Sequence, residues 1–323
     1  MKRFTVIMLC ILLVATALVG CTKKEQPLQK KAALLISGPA NDGGWNQLAY
    51  EGLTTLRDKM GFQIAVTENV KQADHAQLMR NYANQGFKYV IAHGYEYGDA
   101  LDLVAKEFPK VTFIQIGGVA KNDKNVNAVL FTSAEAGYIT GVLAALMTKS
   151  NKLGLVGAVD IPSIKADFQG FKKAVKDFNP AATVVEAWTG SWTDIAKGKE
   201  AALAQMATGV DVIMANGDAA NHGAAEAVRG TKVLYIGWSR DQKEYAPDSH
   251  MVSNVQSVAN ILVNLVERGE KGDLKGALYI MGYKEGAQYL SEYGAMVPAD
   301  VRAKVNKVVE DIKAGKITDF GTK

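Results

Sequence analysis

The sequence predicts an α/β protein built from two similar lobes, each a parallel sheet flanked by helices, with a ligand cleft between them. Three observations carry this expectation. Short apolar runs without polar alternation are separated by segments of helical period, the pattern of parallel strands covered on both faces. The rhythm restarts midway, after a long apolar helix, so two units of similar length follow one another. Polar and aromatic residues then collect just after the strands, where open parallel sheets bind their ligands.

In the first unit, AALLIS (32–37), FQIAVTE (62–68), KYVIAH (88–93), VTFIQIG (111–117) and VNAVLF (126–131) read as strands. Helical patterns run from Trp45 to Met60 and from His75 to Gln85, with Gly61 and Gly86 as C-terminal stops. The apolar helix Ser133 to Lys149 leads into a second strand set: KLGLVGAV (152–159), ATVVEAW (182–188), VDVIMAN (210–216), KVLYIG (232–237) and HMVSNV (250–255). A helix over 259–268 stops at the glycines of RGEKGD, and a last one opens on Pro298 and closes at Gly315.

The N-terminus is a targeting segment rather than part of this fold. Lys2 and Arg3 precede the apolar run Phe4 to Val19, which suits a secretory signal and is too short and wrongly flanked for a stable membrane span. The LVGC that ends it, Leu18 to Cys21, resembles a bacterial lipobox, which implies that residues 1–20 are removed and that Cys21 carries a lipid. Residues 21–30 are then a lipid-anchored tether, most of it in the polar run KKEQPLQKK (23–31). Cys10 leaves with the signal, so no thiol remains for a disulfide or a metal. Loss of Lys2 and Arg3 lowers the formal charge from +4 to +2, with both signs interspersed, which gives nucleic acid no basic stripe to bind. An apolar content of 48% is ample for two cores.

The strand ends supply the candidate site. After the first strand come Asn41, Asp42, Trp45 and Asn46; after the third, HGYEYGD (93–99) brings His93, Gly94 and Tyr95. The second unit offers Trp192 in WTGSWTD (188–194), Asn216, Gly217 and Asp218 in ANGDAANHG (215–223), and Trp238, Ser239 and Asp241 in GWSRDQ (237–242). Asn41 or Asp42 suits the cap of the helix that follows, leaving its free N–H groups to meet a ligand acceptor, and Gly43 and Gly44 permit close backbone approach. Trp45 and Trp192, from opposite lobes, are placed to sandwich a planar heterocycle, stacking worth about 1–3 kcal/mol per base. Asn46 offers a donor and an acceptor, matching the mixed edge of a purine.

Packing accounts for some of the same residues. Trp45 heads a stripe with Leu48, Ala49, Leu53 and Leu56 that equally suits a core, and Trp188, at a strand end, reads as packing. His93 and His222 read either as ligand contacts or as satisfied turn histidines. Asp42, Glu96, Asp194, Asp218 and Asp241 are carboxylates of the kind a nucleoside-cleaving enzyme uses. Against catalysis, no Ser-His-Asp order, phosphate loop or G-x-G-x-x-G follows a strand, and the four histidines lack paired ligand spacing. The expectation is a binding protein without enzymatic activity, metal or cofactor.

Taken together, these stretches resemble a known family. NDGGWNQLAYEGL (41–53) is similar to the Asp-x-x-Phe-Asn-x-x-x-x-x-Gly opening of the basic membrane lipoproteins, the purine-nucleoside-receptor-like substrate-binding proteins of ABC transporters. The similarity continues in DHAQLMRNYANQGFKYVIAHG (74–94), AEAGYITGVLAALMTKSNKLGLVGAVDIPSI (134–164), GSWTDIAKGKEAALAQMATGVDVI (190–213) and IGWSRDQ (236–242), nearly the whole mature chain in order. It implies a two-lobed type I periplasmic-binding-protein fold with three crossovers. The lobes would be 31–149 with 256–280, and 150–255 with 281–323, with hinges near Lys149 to Leu153, Val255 and Met281.

The resemblance also implies roles. Asp42, Trp45 and Asn46 match the family's first motif, Trp192 matches the aromatic that covers the base from the other lobe, and Gly217 lies in a loop lining the pocket. The implied partners are a purine nucleoside or base, an ABC permease and its ATPase, and the cell membrane through the lipid, with the protein a monomer on the outer or periplasmic face. Two positions depart from the family pattern. Ser239 stands where members carry the acid that holds the ribose hydroxyls, and Gln256 stands where they carry a lysine; a serine cannot reproduce a charge-assisted carboxylate contact. A purine base is therefore favoured, with the nucleoside kept open. A ligand-sensing regulatory lipoprotein of the same fold is the alternative, since fold does not settle function.

Overall fold

The computed structural model describes residues 27–322. The signal segment, Cys21 and most of the tether lie outside the described residues. Strand β1 (Gln29–Ile36) takes up the last two tether positions, pairing Gln29 with Phe87.

In the first sheet, β1 is joined by β2 (Gln63–Thr67), β3 (Phe87–His93), β4 (Thr112–Ile116) and β5 (Val126–Phe131). Their helices are α1 (Trp45–Met60), α2 (His75–Asn84) and α3 (Gly98–Val104). The stop expected for α1 is a left-handed Gly61 (φ 70), whose N–H reaches Arg57 O while Phe62 N–H reaches Leu56 O. The chain continues through α4 (Ser133–Met147), β6 (Lys152–Gly157), α5 (Pro162–Phe178), β7 (Thr183–Trp188), α6 (Ile195–Ala207), β8 (Val212–Asn216), α7 (Asp218–Val228), β9 (Leu234–Ser239) and β10 (His250–Gln256). Last come α8 (Val258–Glu270), β11 (Leu278–Met281), β12 (Gln288–Leu290) and α9 (Ala299–Lys313).

The strand order is β11-β5-β4-β3-β1-β2 in one sheet and β12-β10-β9-β8-β6-β7 in the other, all parallel except β12, which runs antiparallel to β10. The chain therefore crosses between lobes three times: after β5, after β10 and between β11 and β12. Helix α8 returns to the first lobe, where Ile261, Leu262 and Leu265 share a core with Leu53 and Leu56 of α1. Strands β11 and β12 are too short to show a period in the sequence, and only their pairing defines them.

One lobe boundary differs from the expectation. The sequence puts the first crossover near Lys149 to Leu153, but α4 already belongs to the second lobe. Ile139, Val142 and Leu143 of α4 are buried with Phe168 and Phe171 of α5 and with Val305 of α9. The chain changes lobes at Thr132, directly after β5. The cause is the fit of α4, which is buried nearly all round, against α5. A Cβ at Gly137 would lie 1.9 Å from Asp167 O, one at Gly170 2.0 Å from Ala134 O, and one at Gly141 2.6 Å from Phe171 O. The two helices touch backbone to backbone through these glycines.

The crossovers are tied to one another by side chains. Glu135 Oε1 accepts from Tyr283 N–H (2.8 Å) and from the Thr132 hydroxyl (3.0 Å). Gln288 donates through Nε2 to Thr132 Oγ1 (3.1 Å) and accepts through Oε1 from Asn254 Nδ2 (3.1 Å), and Tyr283 OH donates to Asn254 Oδ1 (2.7 Å). Residues from all three connections thus meet in one polar network, buried at Asn254, Tyr283 and Gln288 and partly buried at Thr132 and Glu135. Among the described residues, no helix is long and apolar enough to cross a membrane.

The glycine contacts generate a stability prediction. Gly137→Ala should destabilise the second lobe by about 1–3 kcal/mol, the usual range for overpacking a close-packed site. Urea denaturation of the variant should show this loss, and a midpoint equal to that of the parent would contradict the backbone contact.

Candidate functional site

The site is assembled at the N-terminus of α1, where four backbone N–H groups have no partner within the helix. Asp42 takes three of the N–H groups around this end. Its Oδ1 accepts from Gly44 N–H (2.8 Å) and Gln47 N–H (3.0 Å), and its Oδ2 from Asn46 N–H (3.1 Å) and from the Asn46 side-chain amide (2.8 Å). The N–H of Trp45 meets a carboxylate of the other lobe, Asp218 at the first position of α7. This corrects the expectation that the helix leaves N–H groups free for a ligand acceptor: the protein's own acids occupy them. Asn41 is exposed beside this end.

Asp218 shapes its surroundings. A side chain at Gly44 would meet Asp218 Oδ1 at 2.5 Å, so the absence of one lets the lobes approach. Desolvation first, and then the charge of Asp42, push the Asp218 carboxyl up to about 6, while the Trp45 N–H opposes the shift. Its surface still meets solvent in the cleft. Gly217, at φ +143, would carry a Cβ 2.2 Å from Ala158 Cβ, so only glycine lets β8 turn into α7 there. The Trp192 carbonyl accepts from Ala219 N–H (3.2 Å), which sets Trp192, 41% exposed, on the loop beside Asp218.

Trp45 packs against its own lobe as a core residue does, yet keeps part of its surface open. One face of its indole stacks on His93 (centroids 4.0 Å apart, planes 26° apart), and its edge meets Phe131 at 6.2 Å. It remains only partly buried. Gly117, at φ +78, makes room: a Cβ there would lie 2.9 Å from Trp45 Cζ2. The GG pair after β4 is the sign of this in the sequence. His93 is 0% exposed, and its Nε2 donates to Trp45 O (2.9 Å). Of its two readings, burial and this bond favour the satisfied turn histidine, which here props the indole from behind. Gly94 (φ +147) passes under the Glu96 carboxylate, and Tyr95 projects 71% exposed from the turn. Gln115, a residue not anticipated, fixes that turn by donating to Gly94 O and Tyr95 O (2.9 and 3.1 Å).

Two further expectations are corrected by burial. Trp238 is 2% exposed within the second lobe's core, because successive side chains of β9 alternate and this one faces α5. Asn216, 7% exposed, gives its amide to the buried Asp167 carboxyl rather than to the cleft. Desolvation holds Asp167 well above the usual carboxylate range. Trp188 packs on Phe168 at 4.9 Å.

At the crossover end of the cleft, Ser239 and Gln256 touch: Ser239 Oγ lies 3.3 Å from Gln256 Oε1. Ser239 sits at φ +69, an unusual conformation for a non-glycine residue. A cavity of about 270 Å³ opens here, lined by Glu51, Arg240, Asp241, Gln256 and Tyr289 among others, but by neither Trp45 nor Trp192. Asp241 is exposed and accepts from Lys243 N–H (3.1 Å). Arg240 Nη2 lies 3.3 Å from Glu51 on α1, a second bridge between lobes. Tyr245, stacked on His222 at 4.8 Å, brings its hydroxyl to 3.8 Å from where a Gly43 Cβ would be. These cross-lobe residues carry no sequence signal, since their partners are distant in the chain.

Burial makes His93 a pH-dependent element. Desolvation pushes its pKa down to about 3, against an ordinary value near 6.5. Between those values the unfolded chain binds the extra proton, so stability is full above pH 6.5 and is lost as pH falls toward 3. His250, also 0% exposed and pushed down to about 4, acts in the same sense. The unfolding free energy should fall by up to about 1.4 kcal/mol per pH unit for each histidine, and His93→Gln should remove one share. An unchanged slope in that variant, measured by urea denaturation between pH 6.5 and 4.5, would contradict the assignment.

A family model described as ABC transporter substrate-binding protein PnrA-like matches residues 29–319. The transcriptional activator protein med of Bacillus subtilis (strain 168) is 25% identical over 282 residues, covering 87% of this chain and 88% of the relative. A purine-binding protein of Brucella abortus (strain 2308) is 28% identical over 304 residues, covering 93% and 85%. The crystal structure of a transcriptional activator of the comK gene from Bacillus halodurans has the same fold, with a TM-score of 0.80 at 23% identity over 89% of this chain and 99% of that one. With the two-lobed architecture and a cleft closed from both sides, the family match settles the assignment: the chain belongs to the PnrA-like family of ABC transporter substrate-binding proteins.

Proposed function

We propose that the protein captures a purine, as the base or the nucleoside, between its two lobes and delivers it to an ABC permease and its ATPase, held at the membrane by a lipid on Cys21. One observation carries the reading. Trp45 is backed on one face by His93, stands at the lobe junction, and faces a second lobe whose Trp192 lies on the loop beside Asp218. A rigidly backed indole is a ready platform for a planar ring. The similarity to a purine-binding protein supports the ligand class. Ser239 and Gln256, in contact with each other, leave the sugar end without a carboxylate and lysine pair, which favours the base.

A regulatory role is the second reading, and one feature favours it. Asp218 and Arg240 bridge the lobes with the protein's own groups, so closure does not depend wholly on a ligand. A sensor that signals from a closed state needs such contacts, and a transcriptional activator is among the relatives.

Trp45→Ala and Trp192→Ala should each weaken purine binding more than tenfold, as read by titration calorimetry, with the thermal midpoint of the unliganded protein shifted little for Trp192→Ala. Normal affinity in the double variant would contradict the stacking model.

A further inference from the structure

The lobe junction is one-sided in its hydrogen bonding. Gly44, Asn46 and Gln47 give their N–H groups to Asp42, and Trp45 gives its own to Asp218. A ligand acceptor arriving at this helix end finds no N–H to meet. What remains unspent is acceptor capacity. Asn46 is 9% exposed and its amide nitrogen donates to the Asp42 carboxylate, which can only accept, so the orientation of the amide is fixed and Oδ1 is left buried without a partner. Asp218 receives one backbone N–H, while a carboxylate can accept about four bonds. At neutral pH it is ionised and cannot donate.

Position links this acceptor surface to the stacking space. Asp218 stands against the N-terminal end of α1, its Oδ1 2.5 Å from where a Gly44 Cβ would lie, directly before Trp45, and the residue next to it bonds the backbone of Trp192. A ring held between the two indoles brings its edge to this carboxylate. Two acids at one helix end also outweigh the partial positive charge, roughly half a unit, that the helix supplies. The junction therefore repels oxo groups and attracts N–H groups.

Resting on the purine reading above, we infer that Asp218 is a specificity-determining residue that selects a purine with two adjacent donors, a ring N–H beside an exocyclic amino group, over one that presents a single donor or an oxo group there. The 2-amino-6-oxopurine edge meets this requirement, since N1–H and the 2-amino group lie parallel and fit the two oxygens of one carboxylate, as a guanidinium does. Removal of the 2-amino group leaves one donor. A 2-oxo group in its place puts an acceptor against an acceptor, which is the stronger form of rejection.

The test compares compounds that differ at this one position: guanosine against inosine and xanthosine, and guanine against hypoxanthine, titrated by tryptophan fluorescence at pH 7.5 into the wild-type protein and Asp218→Asn. The expected result is at least a tenfold preference for the 2-amino compound in whichever series binds, with the preference falling below about threefold in Asp218→Asn while the thermal midpoint stays near the parent's. Purine binding with no 2-amino preference, or with the preference intact in Asp218→Asn, overturns the role of Asp218 and leaves the purine reading standing. Absence of binding by every purine overturns the purine reading and this inference with it.

Discussion

The N-terminal end of helix α1 is the constraint from which the rest of the site follows. Its backbone donors need partners, and the two that serve come from different lobes, Asp42 from the same loop and Asp218 from across the cleft. Satisfying a helix end from the opposite lobe makes closure part of the helix's own hydrogen bonding. It also fixes Trp45, whose N–H is held in front by Asp218 and whose carbonyl is held behind by the His93 imidazole. The indole is thus oriented by its backbone as well as by the ring beneath it. Gly44 and Gly117 are small because a carboxylate and an indole respectively fill the space a side chain would need.

For such a contact to make and break, each lobe must move as a unit, and the packing provides for this. Helices α4 and α5 meet at backbone distance through Gly137, Gly141 and Gly170, and α6 and α7 do likewise through Gly198 and Gly223. Interiors packed this closely transmit displacement without deforming. The three connections join through Thr132, Glu135, Asn254, Tyr283 and Gln288, so bending at one is felt at the others. Hinge closure of this kind is a shift between two populations, biased by whatever contacts both lobes at once. Here the protein supplies some of that bias itself, through Asp218 and the Arg240–Glu51 pair. A partly exposed ion pair of the latter sort is worth only about 0–1 kcal/mol, so a ligand keeps room to decide the balance.

Much of the fold was legible because it rests on local patterns. The ten principal strands appear as continuous apolar runs, and glycines such as Gly61 mark helix ends. What the pattern could not reveal was which lobe claims a helix. Helix α4 follows five strands of the first sheet yet packs in the second lobe, a choice made by its own Gly137 and Gly141 together with Gly170 of α5, more than twenty residues onward. The candidate site divides in the same way. Residues placed by their own turn, such as Asp42, Trp45 and Asp218, were found by position after a strand. Trp238 and Asn216 sit at equally suggestive positions but point inward, because side chains alternate across a strand and one residue of offset reverses the direction. His93 was placed correctly in the chain, but only its stacking with Trp45 shows that it supports the site from behind. Arg240 and Glu51 lie more than half the chain apart, and no sequence spacing announces their meeting.

The most direct test of the central claim is a thermal-shift measurement on the chain lacking residues 1–21, against free purines, nucleosides, pyrimidines and simple sugars. A compound that binds only the folded, closed protein raises the midpoint by mass action. The account predicts a clear rise with purines and none with sugars, larger for bases than for nucleosides if the Ser239–Gln256 contact closes the sugar end. An unmoved midpoint with every purine at millimolar concentration would contradict it.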